Sequence, residues 1–140
     1  MRRILVVLVV AVAIVAAVVL LTGGGGDANG EKQVRATLTA YAQAFAQKDY
    51  KTICRRFLSQ SLLDQLRQIR LPCRTALAQE LGSTQAPTLT VKSVKVTGTT
   101  ALADVQGGAA NQPAGDRTIE LVKDGGLWRI RSLSKPKTSP

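Results

Sequence analysis

The residues of this chain that could do chemistry begin with a cysteine beside two arginines, in the stretch DYKTICRRFLSQSLLDQL at positions 49–66. Arg55 and Arg56 would favour the charged form of the Cys54 thiol and lower its pKa. A reactive thiolate, a metal ligand and half of a disulfide are all compatible with that local setting. Supply of partners narrows the choice. The chain has one other cysteine, Cys73, and no histidine. A structural zinc site takes about four Cys or His ligands, and a cysteine nucleophile normally has a His as its base. Two cysteines in an oxidising compartment suit a bridge. Joining Cys54 to Cys73 closes a loop of roughly 20 residues, worth about 3 kcal/mol in the loop-entropy description.

General acid and base work at neutral pH uses His most often, or a carboxylate of raised pKa. The acids within strand-like stretches are Asp104 and Glu120. Asp104 alternates opposite to Ala101, Ala103 and Val105, and Glu120 opposite to Ile119 and Leu121, so small and branched residues facing inward would leave both acids solvated. Tyr41 shares a helical stripe with Leu38 and Phe45, a spacing that is more often core than site. Tyr41, Phe45, Leu102, Asp104 and Trp128 are the candidate pocket residues, and none of them forms a catalytic constellation. No cofactor or metal is expected from this residue set.

The elements that must position these residues begin with MRR followed by ILVVLVVAVAIVAAVVLL, from Ile4 to Leu21, which has no charged or hydrogen-bonding side chain. As a helix its 18 residues would be about 27 Å long, close to the ~30 Å hydrocarbon core of a bilayer. Arg2 and Arg3 precede it and the next basic residue is Lys32, which leaves the N-terminus cytoplasmic and everything after Leu21 outside. A cleaved signal peptide has the same asymmetry, but its apolar region is usually about 7 to 15 residues and ends at a small-residue site. Length favours an uncleaved anchor over residues 1–22, and either alternative exports the domain and supplies the oxidising compartment. Residues 23–30, GGGGDANG, read as a Gly-rich tether. A phosphate-binding loop is excluded because Glu31 stands where its lysine is required.

The remainder holds one domain. Val34, Leu38, Tyr41, Ala42 and Phe45 define the buried stripe of a first helix. Asp49 is placed to cap a second, with Tyr50, Ile53, Cys54 and Phe57 inside. Ser61 and Asp64 resemble a capping box for a third, with Leu62, Leu66 and Ile69 inside, and Pro72 begins a fourth that stops at Gly82. From Thr88 the period becomes that of strands. TLTVKSVKV shifts phase near Ser93, the mark of a bulge, and Gly98 turns the chain into TTALADV. Gln106 to Gly115 reads as a flexible loop, and RTIELVK and LWRIRSL flank a turn at Asp124, Gly125 and Gly126. Residues 136–140 read as a flexible tail. Three or four helices followed by about four antiparallel strands make an α+β fold.

With AYAQAFAQKDYKTICRRFLS and the closing hairpin IELVKDGGLWRIRSL, the chain over residues 31–135 resembles the nuclear transport factor 2-like superfamily, especially its small bacterial envelope members. The resemblance implies a cone-like fold, helices packed on a curved sheet around a cavity. It implies no single activity, because that superfamily includes isomerases, dehydratases, polyketide cyclases, binding modules and association domains.

Charge points to a partner class. After residue 30 there are 17 basic residues against eight acidic ones, a net of +9. Arg55, Arg56, Arg67, Arg70 and Arg74 concentrate on the helical hairpin, where they could face anionic lipid, an acidic wall polymer or an acidic envelope protein, or simply form a solvated face. Export and the lack of a stacking motif argue against nucleic acid. The expectation is a non-catalytic, membrane-tethered extracytoplasmic binding or interaction domain of the cell envelope. The alternative is a small-molecule pocket protein or an enzyme of the isomerase, dehydratase or cyclase type.

Overall fold

Asp27 accepts a hydrogen bond from the Gly30 amide and so caps helix α1 (Ala28–Ala46). A computed structural model describes residues 27–134. The expected anchor at 1–22, the first half of the tether at 23–26 and the tail at 136–140 lie outside the described residues. Among the described residues no helix is long and apolar enough to cross a membrane. The tether boundary needs correction, since residues 28–30 belong to α1 and Gly30 is buried. A Cβ at Gly30 would lie 2.7 Å from Oδ2 of the capping Asp27 carboxylate and 3.3 Å from Val96. Glycine is there for close approach rather than for flexibility.

Val34, Leu38, Tyr41 and Ala44 form the buried stripe of α1, which lies along the first strand. Asp49 caps α2 (Tyr50–Thr52) by accepting from the amide and hydroxyl of Thr52. The helix then widens into a π turn, Ile53–Phe57, which buries Ile53, Cys54 and Phe57. Ser59, rather than the expected Ser61, caps α3 (Gln60–Gln68), accepting from the Leu62 amide. Asp64 instead accepts from Gln60 and pairs with Arg67. Leu62 and Leu63 pack against the core, whereas Ile69, expected inside, is 68% exposed. The physical reason is that α3 ends at Gln68, so the helical period that would turn Ile69 inward has stopped. Helix α4 (Cys73–Leu81) follows, flanked by Pro72 and Gly82 as expected.

Strands β1 (Thr88–Thr97), β2 (Thr100–Ala109), β3 (Gln112–Asp124) and β4 (Leu127–Ser134) form one antiparallel meander in sequential order. The fold class is therefore α+β, four helices on a four-stranded sheet that does not close. The bulge falls between Val91 and Ser93, where the phase shift placed it. Gly125 and Gly126 take φ of 60° and 79° at the β3–β4 turn, a conformation other residues adopt at a cost. The supposed loop from Gln106 to Gly115 is a correction: it is the tip of the β2–β3 hairpin, with Gln106 paired to Asp116 and Gly107 to Gly115. Its small, turn-like residues concealed strand pairing that depends on neighbours.

Candidate functional site

The sheet's inner face is closed by packing. Ala101, Ala103, Val105, Ile119, Leu121, Trp128 and Ile130 meet Val34, Leu38, Ile53, Phe57 and Leu58 in one cluster. Leu38, Leu121 and Ile130 have no exposed surface. Tyr41 is part of this core, 6.3 Å from Phe45 and edge-on to Phe57 at 6.1 Å between ring centroids. Burial pushes its hydroxyl pKa up, against the opposing influence of Arg117. Trp128 is buried as well, and its Nε1 donates to Gln33 at 3.3 Å. Phe45 packs against the same cluster.

The other two candidate pocket residues require correction. Leu102 is 50% exposed, and Asp104 is exposed and accepts from the hydroxyls of Ser93 and Thr118 on neighbouring strands. Both project from the sheet's outer face, because strand alternation gives the inner positions to Ala101, Ala103 and Val105. Glu120 lies on that face too, held by Arg131 and Ser132, and hydrogen bonding to Arg131 first and Ser132 second lowers its pKa. The five candidate pocket residues thus divide between a filled core and an outer surface.

Cys54 and Cys73 are bridged, with Cα atoms 6.1 Å apart. The bridge fastens the π turn to the start of α4. A second tie comes from β4: Ser59 donates its amide to the Ile130 carbonyl at 2.8 Å, and Leu58 forms a parallel bridge with Ile130. The guanidinium of Arg129 adds a third, its Nη1 donating to the carbonyls of Arg55 and Arg56 at 3.0 Å each. These carbonyls belong to the widened turn, which arranges its backbone bonds differently from an α-helix.

Two surface clefts flank this junction. One, of about 510 Å³, is lined by Cys54, Arg55, Leu58, Leu63, Asp124 and Arg129, among others. The second, of about 130 Å³, lies between α1 and the β3–β4 hairpin and is lined by Ala40, Arg56, Phe57, Leu127 and Trp128, among others. No protein-family model matches the chain, and no curated protein matches it either. The reading of the site therefore rests on its own residues.

The five arginines assigned to a basic surface are exposed but sit on different elements. Arg55 and Arg56 belong to the π turn, Arg67 to α3, Arg70 to the turn after it and Arg74 to α4. Arg67 is paired with Asp64 at 2.6 Å. Arg56 lies over the Phe57 ring at 5.5 Å. Sequence reasoning missed two basic residues: Arg129, which donates to the Arg55 and Arg56 carbonyls, and Lys123, whose ammonium lies 5.9 Å from the Trp128 ring centre. Their signal was the polar phase of the last hairpin, which carries no information about which helix it will meet.

Proposed function

We propose that the chain is a membrane-tethered extracytoplasmic domain of the cell envelope that works by binding through its basic outer surface rather than by catalysis. In this reading its architecture is the cone-like one of the nuclear transport factor 2-like superfamily, with the cone's interior given over to packing. The observation that carries it is the filled inner face, where aliphatic and aromatic side chains occupy the space in which a pocket enzyme would place its acid or base. The helices before a sequential four-stranded meander support the architectural part. The net positive charge supports an acidic counterpart: anionic lipid, wall polymer or an acidic envelope protein.

The test uses the full-length protein in detergent and the envelope fraction of a host cell. Association should weaken steeply as salt rises, since exposed charges more than ~8 Å apart are screened at physiological ionic strength. Joint replacement of Arg55, Arg56, Arg67 and Arg70 by Gln should weaken it at low salt while leaving the fold intact. Salt-independent association, unchanged in the four-Arg variant, would reject surface binding and return attention to an interior ligand.

A further inference from the structure

We infer that the end of the domain formed by the π turn and the β3–β4 hairpin docks on anionic phospholipid headgroups of the membrane that holds the anchor, with Arg55, Arg56, Lys123 and Leu127 as its contacts. The inference rests on the tethered reading above and gives it a surface and a partner.

The chain enters the domain at this same end. α1 begins beside the far end of β1, where Gly30 approaches Val96, two residues before Gly98 in the β1–β2 turn. The Gly125–Gly126 turn is at the same end of the sheet, since the Lys123 amide donates to the Thr99 carbonyl at 2.7 Å. The start of α1 and the β3–β4 hairpin tip therefore share one end. Six residue steps separate Leu21 from Asp27. Fully extended they reach no more than about 22 Å. A span ending at Leu21 keeps this end of the domain within that distance of the bilayer, so docking is an intramolecular event at high effective concentration.

The side chains displayed there suit such a surface. Arg55 and Arg56 are exposed on the π turn, held in place by Arg129 through their carbonyls. Lys123 is exposed on the hairpin. Leu127, 51% exposed at the hairpin tip, is a large apolar side chain that lines a surface cleft together with Arg56. The acids at this end are engaged within the protein: Asp27 caps α1, Glu31 pairs with Arg35 at 3.1 Å, and Asp124 accepts from the Gln60 amide at 3.2 Å. Arg67, by contrast, is already paired, and Arg70 and Arg74 lie on the α3–α4 segment. Cations beside an exposed leucine fit a headgroup surface, where basic side chains meet phosphates and an apolar one enters the interface.

The experiment reconstitutes the full-length protein in nanodiscs of zwitterionic lipid alone or with 30% anionic phospholipid, and follows amide exchange by mass spectrometry. Segments 53–58 and 123–129 should be protected only in the anionic discs, and high salt should remove the protection. Each basic side chain near such a surface is worth about fivefold in affinity, so R55Q/R56Q/K123Q should weaken docking by about 100-fold and abolish the protection. The variant R67Q/R70Q/R74Q should retain it. Equal exchange in both lipids would overturn the inference, as would protection that survives R55Q/R56Q/K123Q but is lost in R67Q/R70Q/R74Q. The latter result would leave surface binding standing on a different face. Failure of the chain to enter discs at all would instead overturn the tether on which the inference rests.

Discussion

Glu120 shows how the outer face of the sheet is held by polar contacts between strands, since both Arg131 and Ser132 donate to it. A carboxyl whose folded pKa is lowered adds stability that is complete above its ordinary value, about 4.3, and is lost as pH falls through the folded value. Glu120→Gln should therefore be less stable than the parent at pH 7, by under about 1 kcal/mol because the pair is partly exposed. The two proteins should converge in urea titrations as pH falls below the usual carboxylate range, and a gap that persists there would mean packing rather than charge. Asp49, lowered chiefly by the Thr52 hydrogen bonds, contributes in the same direction and pH range. At Gly30 the expectation is steric. Gly30→Ala would push on both the Asp27 cap and Val96, and should cost about 1 kcal/mol, the usual worth of an N-cap. A thermal midpoint unchanged by that substitution would mean that the N-terminal turn of α1 adds nothing to the fold.

Among the elements, the π turn is the junction on which the others converge, tied to α4 by the bridge, to β4 by Ser59 and to Arg129 through two carbonyls. Removing the bridge in a C54A/C73A variant frees a loop with a sequence separation of 19 residues. The loss should be about 3 kcal/mol in urea unfolding, with faster amide exchange concentrated in the π turn and α4. A loss below about 1 kcal/mol would show that the packing of Ile53 and Phe57 holds the turn unaided. The cysteine pairing was legible because residue supply left few other uses for two thiols. The bulge at Ser93 and the turn at Gly125 were legible because alternation and glycine report them locally. What was not legible depends on distant partners. Gln106 to Gly115 extends the hairpin through small residues, Ile69 points outward because α3 stops before it, and Arg129 finds the π turn 73 residues away.

For the whole molecule, the relation between the inner face and the outer surface decides which kind of function the fold can perform. Leu38 is fully buried where α1 crosses the sheet, surrounded by the cluster that includes Ile53, Leu121 and Ile130. Leu38→Ala should cost about 3 to 5 kcal/mol, from lost transfer energy and the void left behind. A void lined by such side chains stays dry and accepts small apolar guests. Benzene should therefore raise the thermal midpoint of the Leu38→Ala protein while leaving the parent unaffected, because in the parent Leu38 fills that space. Asp104→Asn, on the outer face, should leave stability within about 0.5 kcal/mol and leave the benzene response unchanged. If benzene stabilised the parent as much as the variant, the inner face would already hold an open apolar cavity. Surface binding would then lose its support, and a ligand pocket with Tyr41 and Trp128 as its walls would take its place.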